Sequence, residues 1–285
     1  MGSPWRDHPS WTLVEAVSDS TGRDVGELLL DADADTLRAT RNAQLAAYTL
    51  SAVILDATRA AGVDLSATAA TAGHSLGEYT ALLAAGALDL AEGARLVAAR
   101  GEAMQHAAEV GPGTMAAVLG LEPEMVAEAC QGEREAWVAN DNAPGQVVVA
   151  GTEQGVARAS EAARKLGAKR VMPLSVGGAF HSPLMAPAQE LLDRALSAAA
   201  FSQPVWPVVA NVDATAHTSG FEQLLSAQLV SPVRWRESLL ALRGLGVERT
   251  LELGPGSELS GMVKRTLDGV ARANVATPDD LAQLS

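Results

Sequence analysis

The chain of 285 residues has a single cysteine, Cys130. One thiol cannot form an internal disulfide, which fits a protein kept in a reducing compartment. Aromatic residues are also scarce, at 4%, although hydrophobic residues as a whole reach 48%. The core must therefore be built from Ala, Leu and Val, and the apolar content is sufficient for a sizeable globular core.

Long hydrophobic runs and basic charge are missing as well. The longest apolar stretches, such as residues 43–55, are too short to span a bilayer, and residues 1–12 are polar, charged and contain proline. We therefore expect a cytoplasmic protein without a membrane partner. Lys and Arg number 21 against 34 Asp and Glu, giving a net charge of −13. This charge argues against nucleic acid as a partner, because phosphate binding needs a basic surface.

The most informative segment is GHSLGEY at residues 73–79, which places Ser75 between Gly73 and Gly77. A β-compatible run precedes it at 68–72, and an Ala- and Leu-rich run suited to a helix follows at 76–90. This order predicts a nucleophile elbow, in which a strained turn exposes the serine hydroxyl at the end of a sheet. We expect crowding at both glycines and free N–H groups at the start of the helix. The alternative is a strand-to-helix turn with an incidental serine.

The middle of the chain has the order β-α-β-β-α-β, which is typical of a ferredoxin-like module. Its segments are predicted at residues 114–121, 123–131, 136–151, 153–167 and 170–176, the third being a hairpin interrupted at 142–145. We therefore predict a small ferredoxin-like subdomain over residues 113–180. It is inserted in a large subdomain made of residues 1–112 and 181–285.

Outside the insert, strands alternate with helices, which predicts an α/β fold with a mostly parallel sheet. The first part is expected to be helical up to the elbow. Helices are predicted at 37–62, 76–90, 90–110, 221–230, 233–246 and up to 267, strands at 207–213 and 250–254, and a helix start at Ser182-Pro183.

A serine nucleophile needs a base, and histidine is the usual base near neutral pH. Of the five histidines, His8, His106 and His217 lie in contexts that favour ordinary structural roles. His74 neighbours Ser75, but adjacent strand positions point to opposite faces, so we expect it to pack or hydrogen-bond beneath the elbow. His181 follows a strand in the loop 177–183, where sites of α/β proteins gather. His181 is the predicted base.

The ordered motifs of the chain resemble those of the malonyl-CoA:acyl carrier protein transacylases, a family that includes acyltransferase domains of polyketide synthases. The resemblance covers roughly residues 5–275. It rests on GHSLGEY at 73–79, RG at 100–101, NAPGQVVVAG at 142–151, GAFHSPLM at 178–185, NVDA at 211–214, QLVSPVRW at 228–235 and LELGPG at 251–256. The resemblance implies an α/β-hydrolase-like core with a ferredoxin-like insert.

Carried over by motif, the resemblance implies that Ser75 is acylated by the thioester and that His181 acts as general base and acid. It also implies that the backbone carbonyl of Gln228, rather than an acidic residue, orients the histidine. The N–H of Leu76 is expected to be an oxyanion donor. Arg100 is expected to bind the free carboxylate of a malonyl group through its planar guanidinium. The alternative for Arg100 is a surface salt bridge with Glu102.

Four further residues are expected to bind substrate. Phe180 would narrow the acyl pocket and favour malonyl over methylmalonyl. Asn142 and Gln146 match family positions that line the entrance from the small subdomain, with turn chemistry as the alternative. His74 is grouped with them as the residue beneath the elbow.

One departure from the family pattern is expected to matter. Family members begin with a strand and a Gly-Gln-Gly-Ser-Gln loop, whose first glutamine helps to form the oxyanion hole. This chain begins with Met-Gly-Ser-Pro-Trp, about where that loop ends. We expect the first strand and the glutamine to be missing.

The resemblance implies a ping-pong transfer of malonyl from malonyl-CoA to the phosphopantetheine thiol of an acyl carrier protein, in fatty acid or polyketide synthesis. No metal or redox cofactor is expected, and a monomer is plausible. Because such carriers are acidic, a local basic patch is expected on this acidic chain. The candidates are a first cluster (Arg158, Arg164, Lys165, Lys169 and Arg170) and a second cluster (Arg234, Arg236, Lys264 and Arg265). The alternative interpretations are a serine thioesterase or acyl hydrolase, and a catalytically impaired acyltransferase.

Overall fold

The computed structural model describes residues 1–132 and 135–284 as an α/β protein. The N-terminal part is helical up to the elbow. Its elements are α1 (Thr12–Thr21), α2 (Val25–Leu30), α3 (Ala34–Arg38), α4 (Thr40–Ala60), β1 (Thr71–Ala72), α5 (Gly77–Ala84) and α6 (Leu90–Val110). The two 21-residue helices α4 and α6 pack against each other through fully buried side chains such as Leu45, Ile54 and Val97. This helix pair supports the elbow from behind.

The middle of the chain forms an antiparallel sheet covered by two helices. Its elements are β2 (Thr114–Leu119), α7 (Pro123–Gln131), β3 (Ala136–Ala143), β4 (Gln146–Gly151), α8 (Glu153–Lys165) and β5 (Arg170–Pro173). The strand order is β3-β4-β2-β5. Side chains alternate between the two faces: Ala116 and Val118 pack with α7 and α8, whereas Met115 and Ala117 pack with the segment that leads to His181. The second face of the sheet therefore helps to wall the site.

The last part of the chain completes the fold. Its elements are α9 (Ala186–Leu196), β6 (Val208–Val209), β7 (Ala216–His217), α10 (Phe221–Gln228), α11 (Trp235–Gly244), β8 (Arg249–Leu253), α12 (Glu258–Thr266), β9 (Ala271–Val275) and α13 (Pro278–Leu281). The strand β9, which the sequence patterns did not predict, pairs in parallel with β8.

The expected mostly parallel sheet is divided in two. Strand β6 pairs in parallel with β1 and antiparallel with β7, while β8 and β9 form a separate parallel pair. A cavity of about 1270 Å³ lies between these sheets, lined by residues 69–72 on one side and 249–253 on the other. It extends to Ser75 and is called the active-site cavity below.

Several predicted elements are shorter in the structure, for local reasons. The helix predicted at 76–90 ends at Ala84, because Gly86 adopts φ 76° and Asp89 then caps α6 by accepting from the N–H of Glu92. The strand predicted at 207–213 ends at Val209, because the chain turns back through the Ala214 N–H bond to the carbonyl of Ala210.

The helix predicted at 37–62 is also divided. It breaks at Ala39, whose ψ of 131° is extended, and the side chain of Asn42 donates to the carbonyl of Thr36 at 2.7 Å to close the end of α3. By contrast, α6 and α7 have the predicted bounds. Within residues 1–132 and 135–284, no helix combines the length and apolar character needed to cross a bilayer.

Candidate active site

Ser75 lies in a strained turn between β1 and α5. Its φ of 51° is in the left-handed region, which a non-glycine residue adopts only under constraint. A Cβ at Gly73 would lie 1.9 Å from the carbonyl oxygen of Gly77, so Gly73 is required by the close approach of the two backbones. The crowding expected at Gly77 itself is absent, because a Cβ there meets nothing within 4 Å. Only the first glycine of the motif is sterically required.

The hydroxyl of Ser75 meets the imidazole of His181. Ser75 Oγ lies 2.7 Å from His181 Nε2, and His181 Nδ1 lies 2.9 Å from the backbone carbonyl oxygen of Gln228. A carbonyl can only accept, so Nδ1 carries the proton and Nε2 presents its lone pair to the serine hydroxyl. The contact with Gln228 thus selects the tautomer that removes a proton from Ser75.

His181 is held neutral at ordinary pH. It is 4% exposed, and burial, reinforced by the nearby charge of Arg100, lowers its pKa to about 3. The bond from Nδ1 to Gln228 acts in the opposite direction but is outweighed. A neutral imidazole with a free Nε2 lone pair is the form that a general base requires.

Arg100 projects from α6 into the same site and is 1% exposed. Its Nη2 donates to Ser75 Oγ and to Gln228 Oε1, each at 3.0 Å, while Nη1 donates to Gln44 Oε1 at 2.5 Å. The alternative of a surface salt bridge is wrong. Glu102 instead faces Arg41 at 3.6 Å, on the exposed side of the helix.

No carboxylate in the described part of the chain forms a salt bridge with Arg100, and its Nε is buried without a partner. Burial lowers the pKa of the guanidinium because removal from water disfavours its charge, while the neighbouring Tyr79 and Glu78 act in the opposite direction. An unpaired buried cation is costly, and an anionic ligand with two oxygens would compensate it. The site therefore brings together the hydroxyl of Ser75, the neutral imidazole of His181 and a buried guanidinium without a carboxylate partner among the residues described.

The start of α5 offers fewer free N–H groups than expected. The N–H groups of Gly77, Glu78 and Tyr79 donate to the carbonyls of His74, Ser75 and Leu76 within the turn. Among the described residues, none accepts from the N–H of Leu76. This N–H is therefore available to an oxyanion, as the sequence predicts for Leu76, whereas those of the next three residues are already engaged.

A layer of polar side chains behind the site was missed by the sequence analysis. Asn211 Oδ1 accepts from the N–H of Ser75 at 2.6 Å, and its amide donates to the carbonyl of Gly73 at 2.8 Å. Glu78 is 2% exposed and accepts from the backbone N–H of Asn211 and from the side chain of Gln228. Both Glu78 and Asn211 occur in the quoted motifs GHSLGEY and NVDA, which was the signal available.

Of the four further residues predicted to bind substrate, three line the active-site cavity and one does not. His74, Asn142 and Phe180 all line the active-site cavity, with His74 Nε2 donating to Asn142 Oδ1 at 2.8 Å and its ring packed edge-on against Trp235. Gln146 lies outside the residues that line the cavity, and its side chain accepts a hydrogen bond from Arg265. The place expected for Gln146 at the entrance therefore stays a prediction.

The remaining histidines have structural surroundings. His8 accepts from the N–H of Ser10, His106 is exposed, and His217 lies 2.9 Å from Asp213. Within residues 1–132 and 135–284, no three or more His, Cys, Asp or Glu side chains are grouped as a metal site would require.

The sequence of the chain is similar to those of an established family of enzymes. Residues 10–278 match the acyl transferase domain family. The chain is 39% identical over 275 residues to the malonyl CoA-acyl carrier protein transacylase of Bacillus subtilis (strain 168), covering 94% of this chain and 86% of the relative. It is 40% identical over 276 residues to the protein of the same name from Escherichia coli (strain K12), covering 95% and 88%.

Solved structures agree with this assignment. The acyl-carrier-protein S-malonyltransferase of Burkholderia pseudomallei 1710b superposes with a TM-score of 0.94 at 37% identity, covering 99% of this chain and 93% of that one. A malonyl-transacylase in complex with a type II PKS acyl-carrier protein superposes with a TM-score of 0.91 at 36% identity, covering 96% and 90%. The chain therefore belongs to the acyl transferase family and, within it, to the malonyl CoA-acyl carrier protein transacylases.

Proposed function

We propose that this protein transfers a malonyl group from malonyl-CoA to the phosphopantetheine thiol of an acyl carrier protein. The observation that carries the proposal is the position of Ser75 Oγ, 2.7 Å from a neutral His181 and 3.0 Å from the guanidinium of Arg100, which has no carboxylate partner among the described residues. A nucleophile beside a buried cation suits an acyl group with a free carboxylate. A hydrolase of neutral acyl groups would leave Arg100 without a role.

In the first half-reaction His181 Nε2 takes the proton of Ser75, whose Oγ attacks the thioester carbonyl of malonyl-CoA. The N–H of Leu76 stabilises the oxyanion of the tetrahedral intermediate. Collapse of the intermediate breaks the C–S bond, and protonated His181 gives its proton to the CoA thiolate. A malonyl-serine ester remains, with its carboxylate on Arg100.

In the second half-reaction the thiol of the carrier protein gives its proton to His181 and attacks the ester carbonyl. The second tetrahedral intermediate, which carries the thiol of the carrier protein, collapses by breaking the ester bond to Ser75 Oγ, and protonated His181 returns the proton to this oxygen. Ser75, His181 and Arg100 supply the nucleophile, the base and the carboxylate ligand, so the proposed reaction uses no metal or redox cofactor. A monomer in the cytoplasm remains the prediction for assembly and location.

The fold organisation is part of the proposal. We infer a ferredoxin-like subdomain over residues 113–180, supported by the antiparallel strand order β3-β4-β2-β5 and by two helices on one face. Residues 1–112 and 181–285 would form the α/β-hydrolase-like subdomain. Support for it comes from the parallel β1–β6 and β8–β9 pairs and the strained serine between strand and helix.

The proposal is tested by intact-protein mass spectrometry in two stages. Brief incubation with malonyl-CoA should add one malonyl group to the protein. Addition of a phosphopantetheine-loaded acyl carrier protein should remove this group from the enzyme and add it to the carrier. Loss of the adduct to water, with none on the carrier, would instead identify a hydrolase.

The low pKa of His181 predicts an unusual pH profile. Because its pKa is lowered to about 3, the imidazole stays unprotonated well below its usual range. We expect the single-turnover rate of malonylation to be level between about pH 5 and pH 8, since the required base form persists throughout. Burial raises the pKa of Glu78 to about 7. The carboxyl of Glu78 titrates within the measured range, so the profile is also measured on Glu78→Gln, which has no carboxyl at this position. A step near pH 6.5 in both proteins would come from His181 and would contradict the prediction.

The structure favours the second basic cluster as the carrier-docking surface. Its helices α11 and α12 contribute Trp235, Leu239 and Met262 to the active-site cavity, whereas α8 of the first cluster contributes no lining residue within the described chain. In the second cluster Arg234 and Arg236 are paired with Glu237 and Asp141. Lys264 and Arg265 are therefore the charges best placed to attract an acidic carrier.

We expect Lys264→Glu combined with Arg265→Glu to slow malonyl transfer to the carrier about tenfold at low salt, because charges at the rim steer association. Malonylation by malonyl-CoA should be unchanged. Arg164→Glu with Lys165→Glu, on the first cluster, is the matched control and should leave both half-reactions unchanged. Equal loss of both half-reactions in the first double variant would show a structural role instead.

A further inference from the structure

The side chain of Glu78 makes no hydrogen bond to Ser75 or His181, yet it lies at the centre of the polar layer behind them. Its carboxyl is buried in α5, and a single oxygen, Oε2, accepts two hydrogen bonds. One comes from the backbone N–H of Asn211 at 3.0 Å and the other from the side-chain amide of Gln228 at 2.9 Å. Both donors belong to distant parts of the chain.

Each of these two partners holds part of the reacting group. Asn211 binds the N–H of Ser75 and the carbonyl of Gly73, and so supports the elbow on both sides of its strained residue. Gln228 binds Arg100 through its side-chain oxygen, the carbonyl of Ser75 through its amide, and His181 Nδ1 through its backbone carbonyl. The nucleophile, the base and the guanidinium are therefore all held by groups that Glu78 holds.

The carboxyl is not explained by packing alone, because burying it without a salt-bridge partner is unfavourable. Burial raises the pKa of Glu78 to about 7, while the bonds from Asn211 and Gln228 and the charge of Arg100 lower it and the charge of Asp213 raises it. An apolar side chain at this position would avoid the cost of burial. What the carboxyl supplies is an acceptor for two donors that would otherwise be unsatisfied.

We infer, on the basis of the proposed function, that Glu78 is a positioning residue for acyl transfer, which acts through Gln228 on His181 and Arg100 and through Asn211 on Ser75. A Ser-His-Asp triad places its acidic residue directly against the histidine and so fixes the tautomer. Here the carbonyl of Gln228 occupies that place, and the acidic residue lies one step further back. Glu78 thus orients the histidine indirectly, through Gln228, whereas the aspartate of the triad does so by direct contact.

The test compares Glu78→Met, which keeps the volume of the side chain but has no strong acceptor, with Glu78→Gln, which keeps an acceptor oxygen without the charge. The single-turnover rate of malonylation at saturating malonyl-CoA is measured for both variants. We expect Glu78→Met to lose on the order of 10²-fold, because small displacements of reacting groups cost about this factor. Glu78→Gln should stay within about threefold of the unmutated protein, since both donors bind the same oxygen.

Acetyl-CoA supplies a second readout. Because Glu78 acts on the nucleophile and the base, Glu78→Met should slow acetylation as strongly as malonylation, unlike a change to the carboxylate-binding Arg100. A fully active Glu78→Met would overturn the inference, as would a folded Glu78→Gln that is as slow as the Met variant. Thermal unfolding is followed in parallel.

Should Glu78→Met fail to fold, Glu78→Asp gives the same test. Its charge remains, but its oxygen is withdrawn by one methylene from both donors, so we expect a rate loss of about tenfold. Full activity of Glu78→Asp would overturn the inference. Absence of any malonyl adduct on the unmutated protein would instead contradict the proposed function, so the two failures are distinguishable.

Discussion

Replacing Ser75 with alanine should abolish the malonyl adduct and reduce malonyl transfer by at least about 10⁴-fold, because no other group can form the covalent intermediate. The residual rate would come from binding and from the remaining oxyanion donor. The hydroxyl bonds only to His181 and Arg100 among the described residues, so its loss should leave the fold intact. Intact mass after malonyl-CoA exposure, with circular dichroism of both proteins, measures this.

The matched control is Ser197→Ala, which removes an exposed hydroxyl that donates to the carbonyl of Arg194 on α9. This variant should acquire the malonyl group as the unmutated protein does. A malonyl adduct that persists in Ser75→Ala would show that another residue is acylated, and the assignment of the nucleophile would be wrong.

Replacing Arg100 with alanine should reduce kcat/KM for malonyl-CoA by about 10²- to 10⁴-fold while acetyl-CoA still acylates Ser75. A hydrogen bond to a charged group contributes about 1.5–3 kcal/mol, and two are lost with the guanidinium. Each 1.4 kcal/mol corresponds to about a factor of ten. The acetyl group has no carboxylate, so kcat/KM for acetyl-CoA should be unchanged in this variant. The ratio of the two kcat/KM values, obtained from single-turnover acylation, is the measurement.

Arg100 also bridges Gln44 and Gln228, which makes a purely structural role a real alternative. In that case kcat/KM would fall by the same factor for malonyl-CoA and acetyl-CoA, because Gln228 and His181 would be displaced. Arg41→Ala is the control, because Arg41 is a half-exposed arginine that faces Glu102 and not Ser75. It should leave the ratio of the two substrates unchanged.

Helix starts and turns could be predicted from the sequence where the residues that form them are close together in the chain. Helix α6 begins after Asp89, whose side chain accepts from the N–H of Glu92, and α7 begins with Pro123. The turn at Pro144-Gly145 separates β3 from β4, with Gly145 at φ 67°. Caps and turns of this kind act between residues that are neighbours in the chain, so their residue types reveal them. The order β-α-β-β-α-β in the middle of the chain followed from the same signals.

The lengths of the strands in the parallel pairs were harder to predict from the sequence. The run at 207–213 is β-compatible, yet only Val208 and Val209 pair with neighbouring strands. Strand β9 was missed altogether, although its residues 271–275 (Ala-Arg-Ala-Asn-Val) alternate between apolar and polar types. The segment is only five residues long, and its ladder hydrogen bonds come from β8. A strand is defined by its backbone hydrogen bonds to a neighbouring strand, so its bounds depend on which segments pack side by side in the folded protein.

By itself the sequence determined the family, and it predicted Ser75 as nucleophile, His181 as base and Arg100 as carboxylate ligand, because these residues occur in ordered motifs of fixed spacing. Only the tertiary structure decided how they are held. The bond from Ser75 to Asn211 joins residues 136 positions apart, and that from Gln228 to Glu78 joins residues 150 apart. Hydrogen bonds between such distant residues leave no periodic or local pattern in a sequence, since their geometry arises only when the packed elements bring donor and acceptor together.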